Sequence, residues 1–229
     1  ACLSILAMME LCRRSVGVPI LIVVGILLVY TFATVDPTKV IYDQFYATSG
    51  IMNTPIDVCA KYIVVFLIFG AFLERTGIST FFIDLANSIA GATAGGPAKV
   101  AVISSGLCGM VSGSSVGNTV TTGSVTIPMM KKTGYTAEEA GAIETCASTG
   151  GQIMPPIMGT GAFILAETVG VPYSDVCFVS IIPAILFYIA IYFLVDLIAR
   201  KRNLHGLPAS DIRPLKQTMH AGGVFFIPI

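Results

Sequence analysis

The chain alternates long apolar segments with short polar interruptions. Residues 16–35, 56–73 and 173–199 are apolar segments of 20, 18 and 27 residues, which is enough to span the hydrocarbon core of a bilayer. Residues 78–90 instead place their apolar side chains at helical spacing, which predicts an amphipathic helix at the membrane interface or packed inside the protein. The pattern therefore predicts an all-α integral membrane protein.

The first polar interruption lies between two apolar arms, residues 97–111 and 119–130. As helices these arms would be roughly 22 and 18 Å long, which is less than the ~30 Å hydrocarbon core. Neither arm crosses a bilayer comfortably on its own, and the turn between them is polar. The sequence therefore predicts a re-entrant helical hairpin over residues 97–132.

The second interruption places a Gly-Gly pair and a Pro-Pro pair between two apolar half-helices, residues 137–148 and 157–169. Proline and glycine break a helix, and broken backbone at membrane depth is tolerated where it lines a cavity. This pattern predicts a discontinuous transmembrane helix over residues 136–170, and paired interruptions of this kind indicate a transporter binding site.

The other segments are predicted to form the helices and linkers that surround these two interruptions. Residues 1–75 are expected to form scaffold-type transmembrane helices, the first of them truncated, with a polar loop at 36–55. Residues 78–96 hold the amphipathic helix and a linker, 173–202 a further transmembrane helix, and 203–229 a cytoplasmic connector to a missing second half. Basic residues at the expected cytoplasmic ends agree with the positive-inside rule.

Composition supports the membrane class, since 55% of the residues are hydrophobic and 11% charged, against roughly 25% charged in soluble domains. The formal net charge of zero gives no indication of nucleic-acid binding. The six cysteines are scattered without a close pair, so no cofactor or zinc site is expected.

A helix that ends at an interruption presents unpaired carbonyl groups, which suit a cation. We expect such ends near Val111 and near Thr149, and neutral side-chain oxygens surround both. Oxygens at this density suit Na⁺, and they come from Ser112, Ser114, Ser115, Asn118, Ser148, Thr149 and Gln152.

A helix that starts at an interruption presents unpaired N–H groups, which suit an anion such as a carboxylate. We expect one start at Asn118-Thr119, where good N-cap residues occur, and a second with Pro155-Pro156 before it or at its beginning. Close helix packing also explains small polar residues. Because both clusters coincide with helix breaks, a binding site is the favoured interpretation.

Glu144 lies within two turns of the second interruption, and an intramembrane carboxylate is a functional candidate by default. It is therefore a candidate for ion coupling or gating, with a structural role as the alternative. Coupling to Na⁺ or to H⁺ stays open, because Glu144 could carry a proton.

A rival interpretation comes from Gly113-Ser-Ser-Val-Gly117, which matches the G-x-S-x-G pattern of serine hydrolases. That motif needs a preceding strand and a histidine near Ser114, whereas an apolar helix is expected before it and both histidines lie after the last span. A fluorophosphonate probe would label Ser114 if this hypothesis held. A channel is a third possibility, but two closed polar tips favour binding and alternating access.

The runs at residues 110–135 and 147–156 resemble the large membrane subunit of tripartite ATP-independent periplasmic (TRAP) transporters. The amino-acid sequences of these two runs are most similar to those of the fused permeases of the TAXI branch. The resemblance implies an elevator-type secondary transporter, not an enzyme, in a bacterial or archaeal cytoplasmic membrane. It would import organic anions on a Na⁺ gradient and receive them from a periplasmic substrate-binding protein.

By this resemblance, the Ser112–Thr119 tip and the Ser148–Gln152 break hold one Na⁺ site and half of the substrate site. The implied Na⁺-site residues are Ser112, Gly113, Ser114, Ser115, Asn118, Ser148, Thr149 and Gly150. The implied substrate-site residues are Asn118, Thr119, Gly151, Gln152 and Pro155.

The resemblance also implies further parts. A small membrane subunit, or its fused equivalent, and an inverted second repeat would complete the transporter, so the chain is expected to be a fragment that does not transport alone. The alternative within transporters is another elevator-type carboxylate carrier that couples to Na⁺ or H⁺ without a TRAP partner.

Overall fold

The computed structural model describes residues 2–47, 50, 53–208 and 212–226. This part of the chain consists of helices and connecting turns and holds no strand, so the predicted all-α class is confirmed. The chain divides into two compact units, residues 1–60 and 61–229.

The first unit contains short helices. They are α1 (Cys2–Ser15), α2 (Val18–Thr34), α3 (Pro37–Tyr46) and α4 (Thr54–Val58). The expectation of a loop throughout residues 36–55 was wrong, because α3 occupies half of it. Asp36 explains the helix start: its carboxylate accepts a hydrogen bond from the Thr38 N–H at 2.9 Å, and Pro37 occupies the first helical position.

The second unit contains the predicted site. Its helices are α5 (Val64–Arg75), α6 (Ile78–Ala90), α7 (Gly96–Ser112), α8 (Ser115–Lys132), α9 (Ala137–Thr149), α10 (Thr160–Val169), α11 (Tyr173–Lys201) and α12 (Leu215–Gly222). A π-helical turn, Cys59–Ile63, leads from α4 into α5. Within the described residues, the helical stretches Pro55–Arg75 and Tyr173–Lys201 are long and apolar enough to cross a membrane.

The connector expected at residues 203–229 is more ordered than its polarity suggested. It includes α12 and a 3₁₀ turn, Gly223–Phe226, while residues 209–211 and 227–229 lie outside the described part. Its polar side chains contact α6: Arg213 forms an ion pair with Asp84 at 2.9 Å, and Thr218 forms a hydrogen bond with Ser88 at 3.1 Å. The polar pattern of this segment reflects docking on α6 as well as solvent contact.

Helix α7 lies at the centre of the second unit and contacts α5, α6, α8, α9 and α11. Most of its residues are buried, and many are glycine, alanine or serine, which let neighbouring backbones approach closely. Its one cation, Lys99, is only 4% exposed and pairs with Asp196 of α11 at 2.6 Å. A buried cation needs such a partner, which the sequence pattern did not identify.

A close backbone approach in this unit joins Gly109 of α7 to Gly151, which follows α9. A Cβ built at Gly109 would lie 2.5 Å from the Cα of Gly151, and a Cβ at Gly151 would lie 2.9 Å from the Cα of Gly109. Both positions therefore require glycine, because the backbones of the two segments lie too close together for a side chain at either residue. This crossing holds the end of α7 against the end of α9.

We expect Gly109→Ala to destabilise the complete protein by about 1–3 kcal/mol, since the added methyl group forces two backbones apart. Gly141→Ala is the matched control: it lies in α9, and a Cβ there meets nothing within 4 Å among the described residues. The control should be neutral or stabilising by roughly 0.5–1 kcal/mol, because alanine favours a helix. Unfolding in detergent measures both effects, and equal losses would contradict the importance of the crossing.

Candidate functional site

The first interruption is a tight two-residue turn between α7 and α8. Gly113 adopts a left-handed conformation (φ 59°), and its N–H donates to the Gly109 carbonyl at 3.1 Å, which ends α7. Ser114 is extended, and its hydroxyl accepts a hydrogen bond from the Gly117 N–H at 3.2 Å, which starts α8. A helix therefore precedes Ser114, where the hydrolase motif requires a strand.

The helix start expected at Asn118-Thr119 was wrong by one turn, because Ser114 caps α8 instead. Asn118 is 1% exposed and lies inside the hairpin, where its amide N–H donates to the Ser105 carbonyl at 2.9 Å. The Thr119 hydroxyl donates to the Ser115 carbonyl of its own helix at 2.8 Å.

The second interruption extends from Gly150 to Gly159. Helix α9 continues into a 3₁₀ turn, Gly150–Gln152, and α10 begins only at Thr160. Pro155 and Pro156 lie before that start, as expected, but the half-helix predicted to begin at residue 157 begins three residues later. The N–H of Gly159 donates to the Gln152 carbonyl at 2.7 Å, which closes the irregular segment.

The two interruptions lie against each other. The Gln152 amide donates to the Ser115 hydroxyl oxygen at 2.8 Å, and the Ile157 N–H donates to the Met110 carbonyl at 3.4 Å. A Cβ at Gly113 would lie 2.1 Å from the Met158 carbonyl oxygen, so the turn has room only for glycine. The structure thus brings together two segments that the sequence separates by about 35 residues.

A cavity of about 250 Å³ lies where the interruptions meet. Its polar side is lined by Ser112, Gly113, Ser114, Gln152, Gly159 and Thr160. Its apolar side includes Phe66 of α5 and Phe163 of α10. The cavity is thus bordered by the end of α7 and by the starts of α8 and α10. These helix ends carry the partial charges that ions recognise.

The remaining predicted residues lie elsewhere. Thr149 is exposed, and its hydroxyl donates a hydrogen bond to the Thr145 carbonyl at 2.8 Å. Gly150 packs against the rings of Phe187 and Tyr188. Pro155 lines a different, apolar cavity beside α11.

Glu144 is fully buried at the centre of a group of hydroxyls. Its carboxylate accepts hydrogen bonds from Ser105 at 3.0 Å and from Ser148 at 3.1 Å, and also from Thr122 and Thr126. These four partners come from α7, α8 and α9. We call this group the Glu144 cluster.

Within the described residues, no ion pair includes Glu144. Gly123 makes room for it on α8, since a Cβ there would lie 3.0 Å from the Glu144 side chain. A buried carboxylate is costly unless it is paired or fully hydrogen-bonded, and here hydroxyl groups meet that need. The cluster therefore places one acidic group, without a basic partner, next to the interruptions.

The sequence interpretation missed the hydroxyl partners of Glu144, although a signal was present. Asn118, Thr122 and Thr126 recur every four residues, so they form one polar stripe on α8. Glu144 and Ser148 have the same spacing on α9. Two polar stripes on apolar helices predict that the stripes face each other.

Comparison with known proteins identifies the family of the chain. Residues 3–229 match the family model "Tripartite ATP-independent periplasmic transporter, DctM component". The C4-dicarboxylate TRAP transporter large permease protein DctM of Pseudomonas aeruginosa is 28% identical over 148 residues, which is 65% of this chain and 34% of that protein.

Two further relatives are similar. The isethionate TRAP transporter permease protein DctMQ of Oleidesulfovibrio alaskensis is 30% identical over 141 residues, 62% of this chain and 22% of that protein. A putative TRAP transporter large permease protein of Haemophilus influenzae is 28% identical over 139 residues, 61% of this chain and 32% of that protein. These matches span only about a third or less of the relatives' length. Because the family model covers nearly all of the chain, the chain belongs to the DctM-component family of tripartite ATP-independent periplasmic transporters.

Proposed function

We propose that the chain is the first half of the membrane subunit of a secondary importer of organic anions. The observation that carries this proposal is the meeting of two interrupted helices around one cavity. The N-terminal ends of α8 and α10 both border the cavity, and two such ends favour a carboxylate or another organic anion. The names of relatives that carry C4-dicarboxylates or isethionate support the same substrate class.

In this proposal a Na⁺ gradient drives uptake. The end of α7 borders the cavity, and its carbonyl end together with the hydroxyls of Ser112 and Ser114 supplies oxygens for a cation. Oxygen ligands are those that hard cations prefer. The Glu144 cluster adds a negative charge close by, which favours cation entry into a region of low dielectric constant.

Transport would follow an elevator mechanism in which the hairpin and the broken helix move together. Three features support a common motion. The Gly109–Gly151 crossing joins α7 to the turn after α9, the Gln152–Ser115 hydrogen bond joins that turn to α8, and the Glu144 cluster joins α7, α8 and α9. A periplasmic binding protein would deliver the anion. A small membrane subunit, or its fused equivalent, and a second repeat would complete the transporter.

The first test is uptake of organic anions by the complete parent protein in proteoliposomes with its binding protein. An inward Na⁺ gradient should drive uptake, and Asn118→Ala and Ser148→Ala should each raise the required Na⁺ concentration roughly tenfold, equivalent to about 1.4 kcal/mol. Thr145→Ala is the matched control, since that exposed hydroxyl bonds only within α9. Uptake that follows a proton gradient and ignores both substitutions would overturn Na⁺ coupling.

The second test concerns the charge of Glu144. Glu144→Gln keeps the side-chain volume but removes the negative charge, so the Na⁺ concentration for half-maximal uptake should rise about tenfold or more. Glu138→Gln, an exposed change on the same helix, should leave it unaltered. An unchanged Na⁺ requirement in Glu144→Gln would show that this carboxylate has only a packing role.

A further inference from the structure

An apolar groove of about 480 Å³ lies between α6, α7 and α11. Its volume is within the range of roughly 300–1,000 Å³ that is typical of ligand sites. Ile89, Ile189 and Phe193 are exposed at its edge, so the groove is open along one side. Large apolar side chains form its walls, mainly those of Ile89, Ile103, Leu107, Ile185, Ile189 and Phe193. We call it the α11 groove.

Arg200 lies beyond one end of the α11 groove. Ile189, Phe193 and Arg200 follow one another at intervals of four and seven residues, so they share one side of α11. Arg200 lies roughly 10 Å past Phe193 along the helix axis. Its Nε donates to Oδ2 of Asp196 at 2.7 Å, and among the described residues its two terminal nitrogens have no partner. A guanidinium that is oriented in this way can bind a phosphate group through two N–H donors.

The charges around Arg200 favour an anion. Oδ1 of Asp196 also pairs with the buried Lys99 at 2.6 Å, and Nζ of Lys99 lies 5.4 Å from the centroid of the Tyr192 ring. Two cations therefore share one carboxylate, which leaves a net positive charge, and the exposed Lys201 adds to it. Because Tyr192 also lines the groove, the apolar walls and the positive charge lie next to each other.

The side chains at the open side favour lipid over a further protein segment. Contacts between transmembrane helices are enriched in small residues. The exposed side chains of α11 are large instead, and they include Ile182, Leu186, Ile189, Phe193 and Leu197. By the positive-inside rule, Arg200 to Arg202 mark the cytoplasmic end of α11. The cytoplasmic leaflet carries anionic lipids, and basic pockets between helices on that side bind their headgroups.

We infer that the α11 groove binds an anionic phospholipid. The phosphate pairs with the terminal nitrogens of Arg200, and one acyl chain lies along Ile189 and Phe193. A lipid in this position contacts α6, α7 and α11 at once, so it stabilises the packing of the three helices. Its binding needs neither a transported substrate nor an ion gradient.

The test uses the complete parent protein in detergent. The probe is phosphatidylglycerol that carries a photoreactive diazirine in one acyl chain, and mass spectrometry maps the labelled residues. Labelling should fall on groove residues such as Leu107 and Phe193. Unlabelled phosphatidylglycerol should displace the probe at a concentration about tenfold lower than phosphatidylcholine with the same acyl chains, because only the former lipid has a net negative charge.

Arg200→Gln should reduce this tenfold preference to about twofold or less, since it removes the phosphate contact. Lys201→Gln is the matched control: it removes a neighbouring exposed cation on a different side of α11 and should keep the preference. Ile189→Trp fills the groove and should abolish labelling there, so it decides the question if Arg200→Gln does not fold.

Three results would overturn the site. The first is equal displacement of the probe by both lipids in the wild type. The second is an equal loss of preference in Arg200→Gln and Lys201→Gln, which would show a general attraction to positive charge. The third is labelling elsewhere but not in the groove, which would show that another segment of the parent protein covers it.

Discussion

The structure depends on the need of interrupted backbone for hydrogen-bond partners where lipid offers none. The two interruptions meet this need by lying against each other, with the Ile157 N–H on the Met110 carbonyl and the Gln152 amide on the Ser115 hydroxyl. Such contact requires backbones to touch, which is why glycine occupies positions 109 and 151. The small residues of α7 and its buried ion pair with α11 then hold this arrangement in place.

The same constraint explains why the site lies here. Helix ends that satisfy one another only in part leave N–H and carbonyl groups directed at the space between them. That space is the cavity bordered by Ser114 at the start of α8, by Thr160 at the start of α10 and by Ser112 at the end of α7. In the proposed function, this pair of broken helices would recognise an anion and a cation without a basic side chain in the cavity wall.

The sequence predicted the helical class and the positions where the helices break, because Gly-Gly, Pro-Pro and Ser-Gly pairs disfavour a helix locally. It did not predict where the next helix starts. Ser114 and Gly159 take the N-cap positions, whereas the local pattern favoured Asn118 as the cap of α8 and a start of α10 at residue 157. Likewise, the pairing of Lys99 with a residue of α11 joins positions far apart in sequence, which a local pattern does not encode.

Asn118 lies between two acidic residues of the second unit, Glu144 and Glu74. On one side its amide N–H bonds the Ser105 carbonyl, and the Ser105 hydroxyl bonds Glu144. On the other side, Asn118 and Glu74 both line a small cavity of about 10 Å³ between α5, α6, α7 and α8. Removing the Asn118 amide would therefore remove the hydrogen bond to the Ser105 carbonyl on one side and a side-chain oxygen from the cavity wall on the other. With the Asn118 amide in place, the carboxylates of Glu74 and Glu144 are linked through a path of a few residues, which is the physical basis for treating the hairpin as one electrostatic unit.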